Sequence, residues 1–248
     1  MKKIGIVASK EFFAIEKILG VEKIASRVGS SIFTIHRWER QNSMRSYEIY
    51  AINAEIGEIS AAAATQALID SVKDLEFIVN FGMAHPLQKF DETPKIAVVD
   101  AIVHYDFDVT QCNKNAVRGE YPWNNCNVID NETYWENRIR RGANKIFQDK
   151  VDQEFNKEKT SLTICASGDT FVVEDDAKAS LRLSTGAAIC DMNSAGTLLT
   201  CRANNVPCLI LKGITDGIHN GATRFDTRFD ADATQSFKQA LNILDFLT

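Results

Sequence analysis

The sequence predicts an α/β protein: one domain over residues 1–248, with a central mixed β-sheet flanked by helices. Three observations predict it. Short apolar runs without polar alternation, such as Cys208-Leu209-Ile210-Leu211, suit strands covered on both faces. Helical patterns lie between several of these runs, which is the order expected of a sheet with helices packed on it. At 248 residues, 45% hydrophobic and 25% charged, the chain is long enough for one large core, and no linker divides it.

The elements follow in order. Residues 4–8 (IGIVA) form the first apolar strand, and residues 31–38 and 48–52, rich in β-branched and aromatic residues, predict a meander near the N-terminus. Gly57 then opens "GEISAAAATQALIDSVKDL", an alanine-rich helix of high propensity that runs into the strand at 77–81. A strand follows at 95–102. The stretch 111–128, "QCNKNAVRGEYPWNNCNV", is polar and aperiodic and reads as a long surface loop, a length at which loops are often functional. A helix is expected over 132–157, strands at 162–166 and 187–191, and helices over 174–183 and 192–204. Residues 208–213 give the last strand, between Pro207 and Gly213, and helical periodicity resumes only at about Asp232 for a final helix over 232–246.

Composition narrows the function. A net charge of −5 with interspersed acids and bases leaves no footprint for nucleic acid or an anionic membrane, so a small molecule is the expected partner. The apolar run at residues 4–8 is too short for a signal peptide and no stretch approaches a membrane span, which leads us to expect a cytoplasmic protein. The six cysteines contain no CxxC pair and read as reduced thiols. The four histidines show no metal-ligand spacing, so neither a metal nor another cofactor is expected.

Several apolar runs end in small or polar residues: "IGIVASKE", "FIVNFGMAH", "TICASGDTF", "AAICDMNSAG" and "LILKGITDG". In open α/β sheets the ligand crevice lies outside the carboxyl ends of the strands, so these ends can converge on one small-molecule site. Asp216 closes the last of them. It is either a site residue or the N-cap of a helix, and with no helical pattern directly following, the site reading is preferred.

The ordered motifs "KIGIVAS", "AEIGEISAAAATQALI", "IVNFGMAH", "YDFDVT", "ASGDTFV", "ICDMNSAG", "NNVPCLILKGITDG" and "RFD" span nearly the whole chain. As a set they resemble the nucleoside phosphorylase/nucleosidase family, and within it the 5'-methylthioadenosine/S-adenosylhomocysteine nucleosidases. The resemblance implies a nucleoside phosphorylase-like fold, a homodimer, a place in methionine salvage and hydrolysis of the N-glycosidic bond of an adenine nucleoside. It makes Asp216 the general acid that protonates the departing purine, Phe171 the ring that stacks on the base and Val172 a backbone contact to its edge. Phe171 as plain core is an equal reading from sequence alone. Asp191, Met192 and Asn193 match the segment that holds the ribose, and Met83, Ala84, Thr215 and Phe225 complete the expected pocket.

Two departures from the family pattern stand out. Asn193 occupies the place of a Glu that accepts hydrogen bonds from the sugar; it can accept through its amide oxygen, or simply begin the next helix as its cap. Phe13 occupies the place of the Glu that activates water, and Glu11, two residues away, serves in that role only through a shifted turn; a solvated carboxylate at a helix start is the other reading. The phosphorylases' Arg and hydroxyl are replaced by Asn80 and Met83, which disfavours phosphate binding. Hydrolysis is therefore the preferred activity, with altered nucleoside specificity and a catalytically weak nucleoside-binding protein as the alternatives.

Overall fold

The computed structural model describes residues 1–20, 24–27, 32–41, 46–90, 96–112, 118–119, 129–130, 160–215 and 222–248. From the N-terminus, β1 (Lys2–Ala8) and α1 (Phe12–Leu19) precede β2 (Ile24–Arg27), β3 (Thr34–Gln41) and β4 (Ser46–Asn53). α2 (Glu58–Ser71), β5 (Leu75–Pro86), β6 (Ile96–His104), β7 (Ile129–Asp130) and β8 (Thr160–Ser167) come next. The described chain ends with α3 (Asp175–Thr185), β9 (Ile189–Asp191), α4 (Ser194–Ala203), β10 (Cys208–Ile214) and α5 (Ala222–Leu247).

Among the described residues, all ten strands belong to one mixed sheet. β1 pairs in parallel with β4 and β5, and β5 pairs in parallel with β10. β2, β3 and β4 form the antiparallel meander. On the other side β10 meets β6 antiparallel, β6 meets β8 and β8 meets β9 in parallel, and β9 turns back antiparallel onto His85 and Pro86 of β5. The sheet thus closes on itself through β5, β10, β6, β8 and β9. The 12-residue β5 makes this possible, since its body pairs with β1 and β10 and its tail reaches β9.

Strand side chains alternate between two cores, as their two-residue period dictates. Ile4 and Ile6, Phe77 and Val79, and Leu209 and Leu211 face α1 and α5, where Phe229, Phe237, Leu241 and Leu244 pack on them. Val7, Ile78, Cys208 and Ile210 face the opposite way, onto Ala64 and Leu68 of α2 and Leu198 and Cys201 of α4. α2 and α4 touch closely because position 196 is glycine: a Cβ there would collide with the Glu58 carbonyl.

The differences from the sequence reading are local. The strand expected at 77–81 runs to Pro86, and α5 begins at Ala222 rather than about Asp232. The Thr- and Asp-bearing turns of α5 hid its start, although Phe229 lies on its buried face. α1, β2 and β7 are additional elements. The helix expected over 132–157, nearly all of the loop at 111–128, and Asp216 lie outside the described residues.

Candidate active site

The carboxyl ends of β1, β5, β8 and β9 meet at one cavity. Ser9, Lys10 and Glu11 enter it after β1, and Met83 and His85 from the tail of β5. Thr170, Phe171 and Val172 follow β8, Cys190 to Asn193 come from β9 and the turn beyond it, and Ile56 and Phe229 complete the lining. Strand ends converging on a crevice supply side chains of several chemistries to one volume without any loop having to fold inward.

One wall is aromatic. Phe171 stands edge-on to His85, with ring centroids 5.1 Å apart at 77°. Phe171 remains 44% exposed, so the core does not enclose its ring. Burial, reinforced by Lys178, pushes the His85 imidazole down to about 4, which leaves it neutral at physiological pH.

The other wall is polar and built on a lysine that no water reaches. Lys212, in the middle of β10, is fully buried; its Nζ meets Asp191 Oδ2 at 2.6 Å and donates to Asn193 Oδ1 at 2.8 Å. Asn193 in turn donates to Ser9 Oγ at 2.8 Å. Glu11 lies in the same neighbourhood, its Oε1 accepting the Met83 N–H at 2.7 Å. Gly82 permits this crowding, because a Cβ there would fall 3.3 Å from Lys212 Nζ and 3.5 Å from Glu11 Oε1. Burial raises the Glu11 carboxyl above its ordinary range, while the Met83 N–H and Lys212 pull it back. A carboxyl so placed is closer to the range in which it can exchange protons near neutral pH.

Behind this wall a second carboxyl supports α4. Three N–H groups at the start of α4 need partners. Ser167 Oγ accepts those of Ser194 and Ala195, each at 3.1 Å, and Glu58 accepts that of Gly196. Ser167 Oγ also contacts Glu58 Oε1, and Asp191 Oδ1 at 2.6 Å. One hydroxyl proton cannot serve two carboxylates, so the second contact calls for a proton on one of the acids. Glu58 is the acid that holds it: burial first, and then the Asp191 charge, raise it to about 7. Asp191 is held low despite burial by the charge and hydrogen bond of Lys212 and by the hydroxyls of Ser167 and Ser194.

This arrangement has a measurable sign. A carboxyl raised from 4.5 to about 7 contributes stability that is present below 4.5 and lost as the pH rises through 7. Glu58→Gln keeps the hydrogen bonds of the protonated acid and removes its titration. Its stability relative to the parent is expected to grow from little at pH 5 to about 3 kcal/mol at pH 8, since displacing a carboxyl's ionisation by one pH unit is worth ~1.4 kcal/mol. His85 works in the opposite direction between about 4 and 6.5, so the variant-minus-parent difference is the quantity to follow in urea unfolding. A difference that stays flat with pH would remove the proton from Glu58.

Of the residues singled out from sequence, Glu11, Met83, Phe171, Val172, Asp191, Met192 and Asn193 line the cavity. Glu11 precedes α1, buried rather than solvated, while Phe13 packs its ring against Phe229 at 6.1 Å. Asn193 stands at the N-cap position of α4 but makes no side-chain cap; Ser167 and Glu58 do that work from other elements. Ala84 is buried in β5, its carbonyl accepting the Thr215 N–H at 3.2 Å, and Thr215 Oγ1 lies 3.4 Å from His85 Nδ1. Phe225 belongs to α5, with its side chain outside the described set. Ser9, Lys10, Ile56, His85, Thr170, Cys190 and Phe229 join the lining without having been assigned to the site from sequence. Their signal was adjacency, since most neighbour a residue that was.

Comparison with known proteins shows the family and the fold. A family profile described as the phosphorylase superfamily matches residues 23–246. The 5'-methylthioadenosine/S-adenosylhomocysteine nucleosidase of Buchnera aphidicola subsp. Acyrthosiphon pisum (strain Tuc7) is 31% identical over 205 residues, 82% of each chain. That of Haemophilus influenzae (strain 86-028NP) is 25% identical over 249 residues, 99% of this chain and all of the relative. Among solved structures, the Helicobacter pylori nucleosidase of the same name, complexed with a substituted pyrrolidinol, superposes with a TM-score of 0.80 at 22% identity over 98% of each chain. Native futalosine hydrolase of Helicobacter pylori superposes with a TM-score of 0.79 at 21% identity, covering 98% of this chain and 97% of that one.

Proposed function

Because this chain belongs to the phosphorylase superfamily, we propose that it is a nucleosidase that hydrolyses the N-glycosidic bond of an adenine nucleoside of the methylthioadenosine/S-adenosylhomocysteine type. One observation carries the reading: a buried carboxyl, Glu11, shares a cavity with an exposed aromatic face, Phe171. The ring stacks the purine, and Glu11 takes the proton of the attacking water as general base. Asp216, assigned through the "ITDG" match, donates a proton to the departing base. The Asn193 amide and Met192 hold the sugar between them. Ala84 and Thr215 act by shaping the strand end beneath His85, and Phe225 belongs to the rim by resemblance.

Water rather than phosphate is the acceptor in this reading. Asn80, in the place of the phosphorylases' Arg, is buried, donating to Thr197 Oγ1 at 2.9 Å and accepting from Ser194 Oγ at 3.3 Å. Met83 brings a thioether to the cavity where a hydroxyl would be needed, and Lys10 is the cation among the described lining residues. Lys10 rests 4.9 Å from the Phe229 ring centroid. The reading also makes the protein a cytoplasmic homodimer in methionine salvage. Exposed Ile56, which lines the cavity, and Ile59, in the first turn of α2, at 59% and 82%, give apolar surface for a second copy to cover.

The test is adenine release from methylthioadenosine with and without inorganic phosphate. Release at one rate in both supports hydrolysis, and phosphate-dependent release would make the protein a phosphorylase. Asp216→Asn is expected to slow release by at least about 10²-fold with unchanged melting, the lower end of what a positioned general acid supplies. A variant that melts like the parent and works at full rate removes Asp216 from the mechanism.

A further inference from the structure

The hydrogen-bond chain through Asn193 runs in one direction only. An ammonium donates and never accepts, so the Asn193 atom 2.8 Å from Lys212 Nζ is the carbonyl oxygen. The amide nitrogen is thereby turned toward Ser9 and donates to its hydroxyl. Ser9 gives its own proton to the Glu55 carbonyl. Flipping the amide would set donor against donor at Lys212, so the orientation is fixed by chemistry.

That orientation decides what a ligand meets. Ser9 and Asn193 line the cavity, whereas Lys212 is fully buried behind them. The nitrogen side of the amide is therefore the side at the cavity wall. Of its two protons one goes to Ser9, which leaves the other for the ligand. Asp191 does not compensate as an acceptor, because its oxygens already serve Ser167, Cys165, Ser194 and Lys212.

We propose that Asn193 is a specificity-determining residue that offers the sugar a neutral N–H donor, and that the site therefore takes 2'- or 3'-deoxyribonucleosides of adenine beside the ribonucleosides. The inference rests on the nucleosidase reading of the cavity. A carboxylate wall binds a hydroxyl proton with a charge-assisted bond, and losing that hydroxyl strands a buried charge. A neutral donor loses less when the hydroxyl is absent. The site thus enforces the presence of the hydroxyl weakly.

The experiment measures the Kd of adenosine, 2'-deoxyadenosine and 3'-deoxyadenosine by calorimetry, on the parent and on Asn193→Asp and Asn193→Ala. The parent is expected to favour the ribonucleoside over either deoxy form by less than about tenfold, in line with one neutral hydrogen bond. In Asn193→Asp the preference at one of the two positions should steepen at least about tenfold further, and in Asn193→Ala it should flatten toward one. Adenine release from the same compounds gives a second readout; the greater intrinsic lability of the 2'-deoxy glycoside cancels when parent and variant are compared. A parent that discriminates as steeply as Asn193→Asp overturns this inference alone. No binding of any of the three nucleosides overturns it together with the proposed function.

Discussion

Glu11→Gln is expected to lower adenine release by about 10²–10⁴-fold, the contribution of a positioned general base. The substitution is nearly isosteric, and the glutamine carbonyl can still accept the Met83 N–H that Glu11 Oε1 accepts now. What it loses is the ability to take a proton from water. Because burial raises the Glu11 carboxyl, ionising it costs the folded protein stability, and the amide relieves that cost. The variant should therefore melt no lower than the parent while kcat falls and KM changes little. Steady-state kinetics beside thermal melting reads both; a rate within about threefold of the parent would show that another group activates the water, since a positioned base supplies more than that.

Lys212→Met is expected to cost about 3–5 kcal/mol of stability, the range for removing one partner of a buried ion pair. Methionine fills most of the lysine's volume, so the loss is electrical rather than a cavity. Asp191 would be left buried without its cation, next to Glu58, and the Asn193 carbonyl would lose the donor that orients it. The double variant Lys212→Met with Asp191→Asn should recover part of the loss, because the carboxylate that Lys212 pairs with directly is then neutral. Urea unfolding of the parent, both single variants and the double variant completes the cycle. A loss below about 1 kcal/mol for Lys212→Met would mean that Asp191 already sheds its charge, against the low range in which Lys212 holds it.

Much of the fold was legible because apolar strands announce themselves. "CLILKGI" and "IGIVA" are buried runs whose ends are fixed by their neighbours, and β10 and β1 fall where these runs lie. The strand at 77–81 was extended by pairing that periodicity cannot show: Met83 to Pro86 stay in the sheet because β10 and β9 supply partners. In the cavity, Phe171 and Asn193 were legible through motif order, but their surroundings were not. That Lys212 pairs with Asp191, or that Glu58 in an alanine-rich helix caps α4, depends on contacts across 21 and 138 positions. Glu11 shows the same limit in a shorter span. Counting residues from Gly5 put Phe13 at the expected position, while the turn before α1 brings Glu11 to the cavity.

The closed ring of strands bears on how the molecule comes into being. β5 pairs with β1 from the N-terminus and with β9 and β10, which are made more than a hundred residues later. Contacts of such long sequence separation form slowly, because the intervening chain must be ordered before they repay it. During synthesis, which releases N-terminal segments first, β1, β4 and β5 can pair while β10 has yet to emerge. Until it does, Asp191 has no Lys212 and Asn193 has no fixed orientation. The polar wall is thus assembled by the last strand to arrive, and a chain truncated before β10 would carry the aromatic wall without the charge that organises the other.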